Sequence, residues 1–285
     1  MPRAEGFLLI DKAVGSSSFD VIRQLRRITG IRKIGHTGTL DPLATGLLIC
    51  AVGRYTRLCR FLELRDKTYT ACLELGSSTD TGDREGRILK QSDKCPQTIA
   101  TQDLTDYVLN LKELPTPAYS AVKVGGKPAY ALVRSGQQVD LANRQVRIIK
   151  FEVLDYTPPR LMYRCRVSKG TYIRSLSEEI ARWLDTPGHT AQLCRTSIGE
   201  LQLQDAVKVE RLTPDNYPDH LIDDLLVLSE FERATLSEEQ FKVMQSGQAV
   251  INAGEDNSQI VLISGNRVAG MARRQDNTLY PVVNL

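Results

Sequence analysis

The stretch GHTGTLDPLATG, residues 35–46, carries a single acidic side chain, Asp41, among small residues. The nearest acidic residues along the chain are Asp20 and Glu63, so this carboxylate has no acidic partner close to it in sequence. The glycines on both sides allow close approach of the backbone, and Gly46 opens an apolar run that is typical of a buried strand. We therefore expect a rigid loop that presents Asp41 at the edge of a sheet.

An aspartate that precedes a proline has two interpretations. In the structural one, its side chain accepts hydrogen bonds from nearby backbone N–H groups and shapes a turn, while the proline holds it extended. In the catalytic one, the carboxylate itself reacts. Glycoside hydrolysis usually needs two carboxylates, so one isolated carboxylate favours a reaction in which the leaving group stays bound.

The composition is that of an ordinary folded protein. The chain has 285 residues, 41% of them hydrophobic and 25% charged, which is enough for a large domain with a smaller one. No apolar run has the length of a signal peptide core or a transmembrane helix, so we expect a cytoplasmic protein without membrane contact. The six cysteines form no C-x-x-C pair and the three histidines are scattered, which predicts reduced thiols and no structural metal.

The charge is unevenly distributed along the chain. Residues 1–214 hold 32 Lys and Arg against 23 acidic residues, a net charge of +9, whereas residues 215–285 hold five against 11, a net charge of −6. Basic clusters suit a polyanion because each neutralised phosphate releases counterions, although two solvated faces explain them equally well. The clusters, each in an acid-free stretch, are Arg23, Arg26, Arg27, Arg32 and Lys33, and Arg160, Arg164, Arg166, Lys169 and Arg174.

Hydrophobic periodicity predicts many strands and few helices. Helices are expected over SSSFDVIRQLRRITG, over residues 97–113, and over SLSEEIARWL with a Ser175/Glu178 capping box. Alternation predicts strands in KTYTACLEL and YRCRVSKGTYIR, and the run GLLICAVG predicts a buried strand. Regular βαβ alternation is missing, so the expected fold class is α+β with an antiparallel or mixed sheet.

Composition also predicts the domain organisation. The basic, Gly- and Pro-rich segment of about residues 116–145 has no sustained period and predicts a long functional insertion. The sign of the charge changes at the connector TPDNYPDH, which predicts a domain boundary near residue 214. We expect a main domain over residues 1–213 and a small β-rich domain over residues 214–285, with a capped helix in LSEEQFKVMQSG and two strands around a Gly-Asn turn.

The motifs of residues 6–200 resemble, in order, those of the TruB family of tRNA pseudouridine-55 synthases. GHTGTLDPLATGLL is similar to the family's catalytic motif and LLIDKAVGSSSFDV to its N-terminal motif, although DKAVGSSS stands where the family usually has DKPxGxTS. KTYTACLELGSSTDTGDREG resembles the tyrosine motif, PAYSAVKVGGKPAYALVRSG the RNA-gripping thumb, and SKGTYIRSLSEEI and HTAQLCRTSIG complete the set. The resemblance implies a pseudouridine synthase catalytic domain followed by a PUA-like domain, with no cofactor and no metal.

The resemblance also implies roles for individual residues. Asp41 would be the catalytic carboxylate and Arg174 its partner, which favours the ionised form of the acid. Tyr172 and Arg174, two positions apart in a stretch that we expect to be extended, would point the same way. The nucleotide contacts implied are His36, which stacks in the site, Tyr69 and Tyr172, which pack against the nucleotide, and Leu193, which lines the uracil pocket. Candidates for RNA-backbone contacts are Arg23, Arg26, Arg27, Lys33, Lys123, Lys127 and Lys169.

The implied substrate is uridine 55 in the T-arm of tRNA. Everting the base costs roughly a few kcal/mol and one aromatic stack returns about 1–3 kcal/mol, so several contacts are needed. In relatives the PUA-like domain contacts the acceptor stem, but the net charge of −6 over residues 215–285 argues against a strong phosphate grip here. We expect a monomer. The alternatives are a non-catalytic tRNA-binding or folding chaperone and, less favoured because a long basic tail is missing, a relative that works within a guide ribonucleoprotein.

Overall fold

The structure, a computed structural model, describes residues 4–285 and has the α+β architecture that was predicted, with a large mixed sheet and a smaller C-terminal sheet. Within these residues the α-helices are α1 (Ser18–Thr29), α2 (Cys59–Leu62), α3 (Thr101–Asn110), α4 (Ala129–Arg134), α5 (Ile173–Trp183), α6 (Asp224–Val227) and α7 (Glu238–Gln245). Short 3₁₀ helices span Gly53–Leu58, Leu203–Asp205, Val209–Arg211 and Tyr217–His220. No helix among residues 4–285 has the length and apolar character needed to cross a membrane.

The strands follow one another along the whole described chain. They are β1 (Gly6–Lys12), β2 (Ile34–His36), β3 (Thr45–Val52), β4 (Lys67–Leu75), β5 (Ser77–Thr79), β6 (Ile88–Gln91), β7 (Glu113–Leu114), β8 (Lys123–Val124), β9 (Lys127–Pro128), β10 (Arg144–Gln145), β11 (Ile148–Thr157), β12 (Arg160–Val167), β13 (Gly188–Ile198), β14 (Leu201–Gln202), β15 (Val207–Lys208), β16 (Leu221–Ile222), β17 (Glu232–Leu236), β18 (Val250–Ile251), β19 (Asn257–Ser264), β20 (Arg267–Gln275) and β21 (Thr278–Asn284).

The large sheet runs in the order β11-β12-β4-β13-β3-β1-β15. Its pairings are antiparallel except for β13 with β3 and β1 with β15. The edge of β3 is shared: β13 pairs with its first residues, Thr45 and Gly46, while β2 pairs with its last ones, from Cys50 to Val52. The loop that carries Asp41 connects β2 to β3. It therefore lies between the part of β3 that pairs with β13 and the part that pairs with β2.

The helix α1 forms as its sequence predicts. The side chain of Ser17 accepts from the Asp20 N–H and the Asp20 side chain accepts from the Ser17 N–H, so both N-terminal donors of this capping box are satisfied. Gly30 ends the helix in the left-handed conformation, with φ of 66°. The apolar residues at helical spacing, Val21, Ile22 and Leu25, are buried against β1 and β3.

The start of α5 differs from the prediction. The helix begins at Ile173 with Tyr172 as its N-cap residue, so Ser175 lies inside the helix and no Ser175/Glu178 capping box exists. The Ser175 hydroxyl instead donates to the carbonyl of Pro115, at 2.7 Å. The predicted strand ends at Val167, and Tyr172 and Arg174 are therefore not two residues of one extended stretch. Tertiary contacts of Ser175 override the local capping signal.

Two short paired strands, β7 and β10, lie at the two ends of the insertion near residues 116–145. Strand β7 pairs with β10, with Leu114 opposite Arg144. Between them lie the hairpin of β8 and β9 and the helix α4. We call residues 116–145 the thumb.

The C-terminal sheet has the order β17-β19-β20-β21-β18, and the predicted Gly-Asn turn joins β19 to β20. A capping box of Ser237 and Gln240 starts α7, as expected. The two sheets share one buried cluster, to which β1 contributes Phe7 and β19 contributes Val261. Strand β16, beyond the boundary expected near residue 214, still pairs with β1. The domain limits themselves stay a prediction.

Candidate active site

The backbone of Asp41, not its side chain, forms the turn before β3. The carbonyl of Asp41 accepts the N–H of Ala44 at 3.0 Å, with Pro42 as the second residue of the turn. Within the described residues, no backbone N–H donates to the Asp41 carboxylate. The side chain is 36% exposed, and its one ion pair within residues 4–285 is with Arg174. The carboxylate is therefore free of the structural task that an aspartate before a proline often has.

Arg174 connects the three segments that surround the carboxylate. Its Nε lies 3.0 Å from Oδ2 of Asp41, so the expected pair is present. Its Nη1 donates to the carbonyl of Thr81 at 2.6 Å and its Nη2 donates to that of Tyr119 in the thumb at 2.9 Å. Nη1 also lies 3.6 Å from Oδ2 of Asp83. The Arg174 side chain is only 4% exposed. Burial and these contacts together hold the guanidinium in one place.

Two segments near the N terminus fix the residues on either side of Asp41. The hydroxyl of Ser18 accepts the Leu40 N–H at 2.8 Å and donates to the Leu40 carbonyl at 3.2 Å. The N–H of Gly15 donates to the Pro42 carbonyl at 2.8 Å. The start of α1 and the loop after β1 thus hold the backbone before and after the carboxylate, which is the support that a preorganised site requires.

Arg195 on β13 anchors the same loop from the other side. Its Nε donates to the carbonyl of Leu47 at 2.8 Å and its Nη2 to that of Gly38 at 3.1 Å, so its bonds bracket the turn. The residue is 1% exposed, and within residues 4–285 no carboxylate lies at ion-pair distance from it. A buried guanidinium without an acidic partner adds a positive charge beside Asp41.

A second buried cation, Lys12, lies at the end of β1. Its Nζ donates to the carbonyls of Ser16 and Ala13, at 2.6 and 3.0 Å, and lies 3.5 Å from that of Pro42. Burial lowers the pKa of Lys12 to about 8, and the negative charge of Asp41 partly offsets this. The pKa of His36 is lowered by burial and by the charge of Arg195, so a neutral imidazole is favoured.

The other predicted nucleotide contacts lie around this centre. Tyr69 on β4 is buried in the same cluster as Leu40 and Leu43, the apolar residues that flank Asp41 in sequence. Leu193 on β13 belongs to that cluster and also lines a cavity of about 270 Å³ beside the loop. Tyr172 is half-buried at the start of α5, with the Arg144 guanidinium carbon 5.9 Å from the centre of its ring. The fold thus places Tyr69 and Leu193 in one cluster with the apolar neighbours of Asp41 and Tyr172 two residues before Arg174, while their roles stay predictions.

The second basic cluster is not a free cationic face. Arg160, Arg164 and Arg166 on β12 each pair with an acidic residue, and Arg174 is buried at the site. The acidic partners are Glu74, Glu152 and Asp66. Each pair has no net charge, so these three arginines add little to the positive potential of the surface. The interpretation as a solvated face thus fits the three arginines of β12, whereas Lys169 remains exposed.

The first basic cluster and the thumb lysines are more accessible. Arg23 and Arg27 on α1 are exposed and Arg26 is half-buried. Of these three, only Arg23 forms an ion pair with a described residue, Asp20. Exposed lysines follow at the end of the loop after α1 and in the hairpin of the thumb: Lys33, Lys123 and Lys127. These positions remain the candidates for contacts with phosphates.

Three residues of the site are not predicted from the sequence. Asp83 lies in SSTDTGDREG, which we interpreted only as turn chemistry, and Arg195 lies in a quoted motif without an assigned role. Lys12 ends the apolar run FLLIDK, and a lysine after such a run was the one local signal of a buried charge. The other two give no signal without the fold, because their partners are distant in sequence.

Known families and proteins match this chain over the region that contains these motifs. Residues 26–173 match the family model described as TruB family pseudouridylate synthase (N terminal domain). A tRNA pseudouridine synthase B of Mycobacterium sp. (strain KMS) is 37% identical over 262 residues, which cover 88% of this chain and 86% of that protein. The protein of the same name from Burkholderia pseudomallei (strain 668) is 36% identical over 289 residues, covering 97% and 95% of the two chains.

Solved structures match almost the whole chain. A chain from the crystal structure of a Cbf5-Nop10-Gar1 complex has a TM-score of 0.69 and 19% identity, with 98% of this chain and 83% of that chain covered. A chain from an H/ACA RNP bound to a substrate RNA containing 2'-deoxyuridine has the same TM-score, 17% identity and the same coverage. At this identity the likeness establishes a shared fold, including the C-terminal sheet.

Proposed function

Because this chain belongs to the TruB family of pseudouridylate synthases, we propose that it converts uridine 55 in the T-arm of tRNA to pseudouridine, with Asp41 as the catalytic carboxylate. In this reaction the bond between C1′ and N1 breaks, the uracil turns while it stays bound, and C5 bonds to C1′, while C5 loses its proton and N1 gains one. The observation that carries the proposal is the half-exposed Asp41 carboxylate, which no backbone N–H of the described residues engages and which the buried Arg174 holds at 3.0 Å.

The arrangement around Asp41 suits a reaction at the sugar–base linkage. A guanidinium beside the carboxylate favours its ionised form, which either a nucleophile or a base needs. Three separate segments fix the loop through Leu40, Pro42 and Gly38, so little reorganisation is required when the substrate arrives. The tyrosines Tyr69 and Tyr172 would hold the everted base and ribose.

We propose that α1 and the thumb hold the RNA backbone. The exposed cations Arg23, Arg27, Lys33, Lys123 and Lys127 are available to phosphates, with Arg26 and Lys169 as further candidates. Relatives named tRNA pseudouridine synthase B support tRNA as the substrate class. Contact of residues 214–285 with the acceptor stem, the monomeric state and the cytoplasmic location stay predictions.

The test is to map pseudouridine in an unmodified tRNA transcript after incubation with this protein alone. We expect modification at position 55 in the wild type and none in Asp41→Ala or Asp41→Asn, measured also as tritium release from C5-labelled uridine. Binding of the transcript should change by no more than about tenfold, or ~1.4 kcal/mol. A transcript with cytidine at position 55 is the substrate control.

Other outcomes of this test have distinct meanings. Turnover by Asp41→Asn would show that another group is the catalyst. Modification at other uridines only would overturn the site specificity. An RNA chaperone without chemistry predicts that the Asp41 variants refold tRNA as well as the wild type and that neither forms pseudouridine.

A further inference from the structure

The first turn of α1 places an exposed aromatic side chain beside the candidate active site. Phe19 is 56% exposed, whereas Val21, Ile22 and Leu25 of the same helix are buried. Its neighbour Ser18 exchanges two hydrogen bonds with Leu40, the residue before Asp41. A single exposed phenylalanine is common on protein surfaces, so exposure alone does not indicate a binding site. The position of Phe19 and its neighbours do.

Two arginines flank the ring of Phe19. The guanidinium carbons of Arg23 and Arg26 each lie 5.7 Å from the ring centre. Nε of Arg26 is buried and has no hydrogen-bond partner within residues 4–285. The helix thus presents a flat apolar ring next to two cationic groups, which is the combination that proteins use to stack an unpaired base and hold the adjoining phosphates.

The charge around Phe19 favours a nucleic acid over a protein partner. Between Asp20 and Asp41 the chain carries five basic residues and no acid. Asp20 itself is engaged by the Ser17 cap and by Arg23. A second exposed apolar residue, Val14, precedes Gly15, which bonds to Pro42. Two exposed apolar side chains therefore lie next to residues that bond to the neighbours of Asp41.

We propose that Phe19 stacks on an unpaired base next to the target uridine, while Arg23 and Arg26 contact the phosphates beside that base. This inference rests on the proposed function, because it takes a looped RNA as the substrate. When the target base is everted, its neighbours lose their stacking partner. An aromatic ring beside the catalytic loop replaces that partner and lowers the free energy of the everted state.

The experiment uses the full chain and an RNA hairpin whose loop contains the target uridine. 2-Aminopurine is placed at each loop position in turn, and its fluorescence is followed on titration with protein. We expect the wild type to quench the probe at one position next to the target, Phe19→Ala to lose that quenching, and Phe19→Tyr to retain it. The dissociation constant of the hairpin should rise about tenfold in Phe19→Ala, as for the loss of one base–aromatic stack.

The controls separate stacking from other effects. Ile251→Ala removes an apolar side chain that is 80% exposed on the C-terminal sheet, and it should bind the hairpin as the wild type does. A hairpin that is abasic at the quenched position should bind equally to the wild type and to Phe19→Ala. Equal affinity of both proteins for the intact hairpin would overturn the proposal and indicate a protein-docking surface. The proposal would also be overturned if Phe19→Ala lost as much affinity for a loop-free duplex as for the hairpin.

The proposal and the proposed function fail in different ways. The binding readout needs no turnover, so a wild type that quenches the probe but forms no pseudouridine would contradict the function alone. Conversely, a wild type that modifies the hairpin while Phe19→Ala has an unchanged KM and quenching would contradict the stacking role alone. With saturating RNA we expect kcat of Phe19→Ala to stay within about twofold of the wild type, because the residue acts in binding.

Discussion

Gly46 lies directly against the backbone of Arg195. A Cβ atom on Gly46 would be 2.3 Å from the carbonyl oxygen of Arg195, and Gly46 has a φ of +103°, which favours glycine. This close approach sets the position at which β3 begins relative to β13. The side chain of Arg195 then reaches Gly38 and Leu47 and closes the loop around Asp41.

The contact predicts that Gly46→Ala is strongly destabilising. Neither backbone can move without shifting a strand, so we expect the free energy of unfolding to fall by at least about 2 kcal/mol. The matched control is Gly247→Ala, where φ is +85° but no atom lies within 4 Å of the added Cβ; it should cost only about 1 kcal/mol. Urea unfolding of both variants measures the difference, and equal losses would contradict the explanation.

Replacement of Asp83 should impair turnover more than binding. Asp83 is 5% exposed and its carboxylate lies near Nη1 of Arg174, while its Oδ1 accepts from the Thr81 hydroxyl and the Glu85 N–H. Without its charge, Arg174 loses one of the two acids that hold it. We expect Asp83→Asn to reduce kcat about 10- to 100-fold by displacing the guanidinium from Asp41.

Asp83→Asn is informative because the amide oxygen can still accept the two local hydrogen bonds. Asp83→Ala removes those bonds as well and should in addition lower stability by about 1–3 kcal/mol. Single-turnover rates and RNA dissociation constants separate the two effects. If Asp83→Asn has wild-type turnover, the ion pair with Arg174 has no role in positioning.

Lys12 should make stability depend on pH in the alkaline range. Burial lowers its pKa to about 8 in the folded protein, from 10.5 in the unfolded chain. Between these values the unfolded chain binds more protons, so stability rises with pH, and below about pH 8 the cost of burying the charge is present in full. Lys67, whose pKa burial also lowers to about 8, acts in the same direction.

Comparison with Lys12→Met isolates the contribution of Lys12. Relative to this variant, the wild type should gain stability between pH 8 and pH 10, by up to ~3 kcal/mol. Chemical denaturation at pH 7, 8, 9 and 10 gives the difference at each pH. A difference that stays constant over this range would mean that Lys12 is solvated in the folded protein.

Local features were the most predictable part of the fold. The α1 helix with its caps, the buried strand β3 and the alternating strand β4 all follow from residues a few positions apart. The Ser175/Glu178 box failed because the hydroxyl of Ser175 has a partner in Pro115, 60 residues away. The sequence left two explanations open for the β12 arginines, because the acids that pair with them lie on neighbouring strands.

The sequence by itself determined which carboxylate has no acidic neighbour along the chain, in which order the motifs follow, and that an α+β fold with a β-rich C-terminal part results. Periodicity, caps and turns depend on near neighbours, so the linear chain contains them. Only the tertiary structure decided that Asp83 joins Arg174 and that Arg195 holds Gly38, 157 residues away. Such contacts depend on strand register and helix placement, in which every strand of the sheet participates, and no short stretch of sequence specifies them.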